Sequence, residues 1–539
     1  MFRKNISGSF LARIAILLVL PLTTLATVEY VRLESGPFWV SGGDPEYVYM
    51  YNSLNILNFN APQHINHPGT PLQILGAAVF KARHPWTPTL EITSLVLQNP
   101  EYYLRLINLT LIVLITAALA AAGMIFYSAS GEIFPSLLVQ ASPLMSSVMV
   151  YTLPRVIAEP LLLFASTVLI CLMAVALKND EGKEDSNFYL ISVGLVCAFG
   201  IATKLNFLPI ILVPLIAFSR LKPRIIFMLS VIAGALIFMS PALVRFKALA
   251  VGVYRLFMGS GIHGQGPRTV IDPEKYFSDL SGLIFSQPFS LIALVAGGIV
   301  YLSIFLMARH GGDAKGAFAR RLLLGLIVAQ VAQYIIVAKH PNAYYLMPSL
   351  ALPGFTLAVA FLCVSQAWAW GGVQWLRGLL AGSALVVLVA AGYQQWLDTG
   401  RITDRYRERL TEVIALGETI AGRFQDCTKV YYYPSPSKSY ALYFGLNFAK
   451  RKEYGEILDN VYGGDNYFYN TGNKTFYTWI EPVSWEVIQS KASCIVLVGP
   501  PFEGRYARYH PGIGFDDRCL GNGKELNASI YTIGRKCEQ

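Results

Sequence analysis

Charge is what this chain has least of. Only 14% of its 539 residues are Asp, Glu, Lys or Arg, against 54% hydrophobic, and the mean hydropathy is +0.46. No soluble globular surface is built from that mixture, so the class is a polytopic α-helical membrane protein. Two motifs are missing as well: no Walker A segment and no Asp-x-Asp triplet occurs. Their absence leaves little support for a nucleotide-driven pump or for a metal-dependent enzyme that uses a nucleotide sugar. No internal repeat is visible, and with it goes the matched pair of broken halves typical of many transporters.

Apolar stretches near the ~20 residues needed to cross a bilayer fall at 10–30, 106–127, 133–152, 160–177, 188–203, 206–219, 225–244, 287–308, 322–338, 349–367 and 376–396, which predicts about eleven spans. Arg3 and Lys4 ahead of the first run, with Thr24-Leu25-Ala26 inside it, have the look of a cleavable signal. Arg13 within the run and the spans that follow favour a retained helix. A cytoplasmic N-terminus puts Arg3 and Lys4, the run Lys178 to Asp185, Arg220, Lys222, Arg224, Arg309, Lys315, Arg320 and Arg321 inside, as the charge rule requires. An odd number of spans then sends the C-terminus outside.

Cysteine usage fits that orientation. Cys171, Cys197 and Cys363 lie in spans, whereas Cys427, Cys494, Cys519 and Cys537 crowd the tail, where an oxidising compartment would pair them. Two strand-like segments begin at Cys427 and Cys494, which favours 427 with 494 and 519 with 537, although all three connectivities stay open. Three parts result: a first outer loop at 33–105, a span bundle reaching to 397, and a soluble tail at 398–539. The tail opens on an amphipathic helix at 401–424 and continues as a small α/β domain. It holds no catalytic motif; Asp516-Asp517 reads as a solvated acidic turn before a cation site.

The outer loop carries the densest chemistry. Asp44 and Glu46 stand in Ser41-Gly-Gly-Asp-Pro-Glu-Tyr-Val-Tyr-Met-Tyr51, and the aromatic run beyond them suits a helix lying in the membrane interface. Gln63-His64-Ile-Asn-His67-Pro-Gly-Thr-Pro71 is a shaped turn before a second amphipathic helix at 72–82. His64 and His67 could reach one metal, but Pro68 restrains the second and no third ligand is near, so substrate contact or loop packing is preferred. By itself Asp44 before a proline in a glycine turn is ordinary turn chemistry. Asp272-Pro-Glu274 has the same pattern and reads as a helix cap, with 259–266 as a cover.

Cations recur where spans should meet the outer surface. Arg105 opens the second span, Arg155 and Glu159 flank the entrance to the fourth, and Lys204 lies between two short spans. An Arg155–Glu159 pair would satisfy itself; a substrate role is the alternative. The longer of the short spans reaches only ~24 Å against a ~30 Å hydrocarbon core, which sinks Lys204 and calls for an anion. Ala338-Lys339-His340-Pro-Asn-Ala-Tyr344-Tyr345 adds a further cation late in the bundle. Cations around a membrane-level cavity suit the phosphate head of a polyprenyl carrier.

The order of these features resembles the GT-C glycosyltransferases, in the branch of protein O-mannosyltransferases and the lipid A aminoarabinose transferase. The likeness spans most of residues 10–367. It rests on the acidic motif after the first span (Gly43-Asp44-Pro45-Glu46-Tyr47), the turn His67-Pro-Gly-Thr-Pro71, Arg105, Glu159 and Lys339-His340-Pro341-Asn342-Ala343-Tyr344-Tyr345. The chain departs from the family in having Asp-Pro-Glu for adjacent acids, which leaves the choice between Asp44 and Glu46 open, and His-Pro-Gly-Thr-Pro for the commoner Lys-Pro-Pro, which removes a cation that in relatives would face the donor phosphate.

The resemblance implies an inverting transfer of a sugar from a polyprenyl-phosphate donor to a lipid, glycan or protein hydroxyl. Asp44, by preference, or Glu46 would be the general base. Lys204 and Lys339, with Arg155 and Arg105, would face the donor phosphate. Glu159, His64, His67, His340, Tyr344 and Tyr345 would contact substrate. No cofactor is assigned, a divalent cation at Asp44 and Glu46 is compatible, and no nucleic-acid partner is expected. The expected place is a bacterial inner membrane, with the tail in the periplasm. A transporter or flippase for an anionic lipid-linked substrate is the rival reading, since buried cations and acids also line translocation paths.

Overall fold

The computed structural model describes residues 8–65, 68–178, 186–259, 272–308, 316–367, 374–463, 466–499, 517–520 and 528–537. Helix α1 (Gly8–Glu34) leads into the first loop, which folds as α2 (Glu46–Leu57), α3 (Thr70–Arg83) and α4 (Thr89–Gln98). Then come α5 (Pro100–Ser130), α6 (Ile133–Gln140), α7 (Ser147–Thr152), α8 (Glu159–Lys178), α9 (Asn187–Thr203), α10 (Leu212–Ala217) and α11 (Leu221–Phe238). The bundle continues with α12 (Ser240–Leu243), α13 (Phe246–Met258), α14 (Pro273–Phe285), α15 (Pro288–Ala308), α16 (Ala317–Val337), α17 (Met347–Leu350), α18 (Pro353–Ala367) and α19 (Gln374–Arg423).

Local sequence explains several of these boundaries. Pro100 sits in the first turn of α5, where its missing N–H costs nothing, and Gly131 closes that helix at φ +72°. The Ser186 hydroxyl caps α9 by accepting from the Tyr189 N–H. Helix α14 begins after Asp272 as expected, but without a side-chain capping bond. The cover expected at 259–266 falls almost wholly outside the described residues.

Among the described residues, eight helical stretches are long and apolar enough to cross a membrane, including the composite 343–366 segment around α17 and α18. Three of the eleven expected stretches are short or broken. The 188–203 stretch is a 17-residue helix, and the 206–219 stretch is a tight 3₁₀ segment, Leu205–Ile211, running into α10. The 133–152 stretch breaks into α6, a 3₁₀ turn and α7. Pro143 and Pro209 stand in the irregular pieces, where each removes a backbone donor. Leu229, Ile232 and Leu236 on α11, and Ile292, Val295, Ile299 and Leu302 on α15, lie exposed at helical spacing. Such stripes on long apolar helices are the lipid-facing surface of a multi-pass membrane protein.

The tail contains a seven-stranded sheet ordered β4-β3-β2-β1-β5-β7-β6, with strands β1 (Thr428–Tyr431), β2 (Asn466–Asn470), β3 (Thr475–Tyr477), β4 (Pro482–Val483), β5 (Ile495–Gly499), β6 (Asp517–Leu520) and β7 (Ser529–Ile533). Its helices are α20 (Lys438–Ala449), α21 (Lys452–Tyr462) and α22 (Trp485–Lys491). Central β1 runs parallel to both β2 and β5, and the outer pairs are antiparallel. Disulfides join Cys427 to Cys494, at the starts of β1 and β5, and Cys519 to Cys537. Asp517 accepts from the N–H groups of Arg518 and Cys537, a local structural role; Asp516 lies outside the described residues.

Two expectations change in shape. The helix expected at 401–424 is the second half of α19, which runs unbroken from the last apolar span, so the 397/398 boundary falls inside a helix. The helix expected in the membrane interface, α2, is buried along its length apart from Ile56. Helix α20 covers it: the Asn55 amide donates to the Ala449 carbonyl at 3.2 Å, and Gly445 lies so close that a Cβ there would come within 2.4 Å of Tyr51. Tyr462 of α21 likewise donates to the Leu97 and Gln98 carbonyls at the end of α4. The loop helices and the tail therefore share one apolar core, separate from that of the span bundle.

Candidate active site

The acidic motif is held by backbone shape first. Gly42 and Gly43 both take positive φ, +82° and +78°, a pair of left-handed positions that residues with a Cβ rarely occupy. Space also requires glycine at 43, because a Cβ there would meet Ala441 of α20 at 2.6 Å. The turn delivers Glu46 to the first turn of α2, where it is 2% exposed, and leaves Asp44 half-buried.

The two acids then diverge. Arg155, in the loop between α7 and α8, grips Glu46 with both arms, Nε to Oε1 at 2.6 Å and Nη2 to Oε2 at 3.1 Å, and Nη2 also donates to the Asp44 carbonyl at 3.0 Å. Burial works against the Arg155 charge, but Glu46 beside it outweighs that and holds its pKa well above the ordinary guanidinium value. The Asp44 carboxylate faces the tail instead, where the Tyr433 hydroxyl donates to Oδ2 at 3.3 Å. Burial, then the Asp44 charge, pushes the Tyr433 hydroxyl up to about 12.

A second ion pair stands alongside. Lys204, at the end of α9, meets Glu159 at 2.5 Å, with side chains 12% and 4% exposed. Its ammonium also lies over the rings of Tyr345 and Tyr344, 4.6 and 5.2 Å from their centroids. The anion that a sunken lysine calls for is thus an internal one, and the self-satisfying Arg155–Glu159 pair does not form. Tyr49 of α2 lies between the two halves: burial first, then the charges of Glu159 and Asp44, raise its hydroxyl well above the usual value.

Other expected residues support this cluster or stand apart from it. Arg105 pairs with Glu29 of α1 and donates to Asn108 at 3.0 Å. Asn108 in turn donates to the carbonyls of Leu153 and Arg155, so Arg105 braces the loop that carries Arg155. Lys339 donates to the Phe257 carbonyl and His340 contacts that of Leu256 at 2.9 Å; together they hold the last turn of α13. Burial lowers the Lys339 pKa. His64 sits edge-on between Tyr49 and Phe448 in aromatic packing. His67 lies outside the described residues.

A cation shared by Asp44 and Glu46 would have to share the Glu46 carboxylate with the Arg155 guanidinium, which donates to both of its oxygens. Among the described residues, the one group with metal-ligand spacing is Asp426, Cys427 and Cys494, whose cysteines are joined as a disulfide.

Three residues of the site escaped the sequence reading. Arg32, at the end of α1, donates to the Pro154 carbonyl and stacks over Phe38, bracing the same loop as Arg105; the charge pattern that singled out Arg105 applies to it equally. Glu101 accepts from the N–H groups of Phe38 and Trp39 and from the Tyr47 hydroxyl. Tyr433 had no signal, being the third tyrosine of a strand end some 390 residues from its partner.

No family model matches the chain, and no curated protein matches it. Among solved structures it is similar to ArnT from Cupriavidus metallidurans bound to undecaprenyl phosphate, at 12% identity and TM-score 0.49 over 95% of this chain and 97% of that one. The apo state of the same protein gives 12% identity and TM-score 0.49, over 95% and 98%. The archaeal oligosaccharyltransferase AglB from Archaeoglobus fulgidus, in complex with an inhibitory peptide and a dolichol-phosphate, gives 11% identity and TM-score 0.41 over 88% and 69%. Likeness at this level identifies neither family nor chemistry.

Proposed function

We propose that this protein is a membrane glycosyltransferase of the GT-C type, which moves a sugar from a polyprenyl-phosphate donor to an acceptor hydroxyl on the periplasmic face of a bacterial inner membrane. The observation that carries the reading is the division of labour between the two acids. Glu46 is buried and fully engaged by Arg155, whereas Asp44 is half-buried, anchored through its backbone carbonyl and turned toward the tail. A carboxylate held this way is suited to act as a base, and Arg155 with Glu46 fixes where it stands.

In the proposed reaction Asp44 takes the proton of the acceptor hydroxyl as its oxygen attacks the anomeric carbon. The bond from that carbon to the phosphate oxygen breaks on the opposite face, which inverts the centre, and polyprenyl phosphate departs as the anion. General-base assistance of this kind supplies ~10² to 10⁴ in rate. Arg155 has its fork committed to Glu46, so the growing phosphate charge falls to Lys204, which can turn from Glu159, and to Lys339, which donates to the neutral Phe257 carbonyl.

The test is release of polyprenyl phosphate from a radiolabelled polyprenyl-phosphate-sugar pool by purified protein in membranes with acceptor extract. Turnover should be lost in Asp44→Asn and reduced by Lys204→Met. A folded Asp44→Asn enzyme at full rate refutes the assignment of the base. A wild-type protein that releases nothing but moves labelled lipid between leaflets makes it a flippase.

A further inference from the structure

The tail meets the first loop at a cleft of about 480 Å³ that the transfer site does not include. Gln63 and His64 form one wall; Asn447, Phe448 and Lys450 at the end of α20 form another; Asn470 and Asn473 around the β2–β3 turn close it. The lining is amide-rich, with one aromatic face and one cation. Its amides are set in place: the Asn470 side chain donates to Asn447 Oδ1 at 3.1 Å and accepts from the Gly472 N–H at 2.9 Å, and the Asn473 amide donates to the Tyr477 hydroxyl at 2.5 Å.

An aromatic track leads from this cleft to the candidate base. Phe448 packs on Phe444 one helical turn earlier, with centroids 5.1 Å apart, and Phe444 stacks on Tyr433 at 5.3 Å and 24°. Tyr433 is 39% exposed, both phenylalanines are half-buried, and the Tyr433 hydroxyl ends the track on Asp44. Part-exposed aromatic rings, packed one on the next beside amides that can both donate and accept, offer apolar and polar contacts of the kind a chain of sugar rings takes, with its C–H faces and hydroxyl edges. A peptide would look for a sheet edge to extend, but β2, the strand at the cleft, is paired on both sides by β1 and β3.

We infer that this cleft and track bind the non-reacting part of a saccharide acceptor, so that the acceptor is a glycan or the glycan of a glycolipid. The inference rests on the transferase reading for its purpose, but binding can be measured without the donor. Full-length protein in nanodiscs is mixed with linear tri- to pentasaccharides of gluco, manno and galacto configuration, and contact is read by saturation-transfer NMR. At least one saccharide should bind; Asn447→Ala should weaken it about tenfold, the loss of one net hydrogen bond. Asn447→Trp, which fills the cleft from an exposed helix position, should abolish binding. Asp44→Asn should bind the saccharide normally while losing transfer.

The inference is overturned if no saccharide binds the wild-type protein, if Asn447→Trp binds as well as wild type, or if mixed-sequence peptides compete for the cleft and saccharides do not. Saccharide binding without any transfer would sink the proposed reaction and leave the cleft standing. Transfer that Asn447→Trp does not slow would do the reverse.

Discussion

Removing the Arg155 guanidinium should be far more damaging than removing it together with its partner. Glu46 is 2% exposed and the Arg155 side chain 15%, and the two share two hydrogen bonds. Arg155→Gln leaves a buried carboxylate without its counter-charge, a change that costs about 3–5 kcal/mol. It also removes the bond to the Asp44 carbonyl, worth about 1 kcal/mol. In Glu46→Gln/Arg155→Gln the stranded charge is gone and two neutral amides face each other in similar volume, so all but ~1–2 kcal/mol should return. The cycle is completed by Glu46→Gln and read as unfolding of detergent-solubilised protein by intrinsic fluorescence, with turnover measured on the same samples. A double variant no more stable than Arg155→Gln, with single effects adding within ~0.5 kcal/mol, would refute the coupling. Turnover offers an independent check: Glu46→Gln should keep measurable activity where Asp44→Asn keeps none, and the opposite ranking would make Glu46 the base.

The remaining predictions address the frame around that pair. Gly43→Ala places a Cβ against Ala441 at a φ of +78°, so it should cost more than ~1–3 kcal/mol and loosen the tail from the loop, seen as new protease cleavage between α19 and α20. Tyr433→Phe removes a donor to the charged form of Asp44, and the acid limb of the pH–rate profile should move to higher pH. Because the Tyr433 pKa is raised from 10.0 to about 12, its ionisation equilibrium favours the fold fully below pH 10 and is lost through about pH 12; Tyr433→Phe should lack that part of the alkaline destabilisation. Loss of the Cys427–Cys494 bridge, with a sequence separation of 67, should cost about 4 kcal/mol in the chain-entropy account, against about 3 kcal/mol for Cys519–Cys537, with a separation of 18. Cysteine-to-serine pairs compared by denaturant unfolding would show the opposite order if strain or residual structure dominated. Glu159→Gln should leave Lys204 without its anion and lower stability more than Lys204→Met/Glu159→Gln does, by the same logic as the first pair.

Much of the molecule was legible in the chain because its signals are local and additive. Hydrocarbon-length runs demand satisfied backbone and therefore helix, so the long spans and the loop between α1 and α5 emerged where composition put them. Alternation and turn residues located the α/β tail, and two strand starts at cysteines pointed to the bridge that formed. The acid turn, the Arg155 loop and the sunken Lys204 stood out because charge beside lipid is costly enough to be noticed.

What composition could not determine is which charge meets which. A self-satisfying Arg155–Glu159 pair is one of the two readings the sequence leaves open, yet the bend at Pro154 to Pro160 turns Arg155 toward α2 and leaves Glu159 for Lys204. Nor could it show that α2 lies beneath α20 and is covered by protein along its length, since a tyrosine-rich helix suits a protein or a lipid surface and only the docking of the tail supplies that cover. Sequence alone determined the class of protein, the helices and the residues that had to be explained. The tertiary structure alone decided that Asp44 faces Tyr433 while Glu46 is locked on Arg155, because that choice is made by contacts between segments more than a hundred residues apart, and side-chain periodicity carries no information at that range.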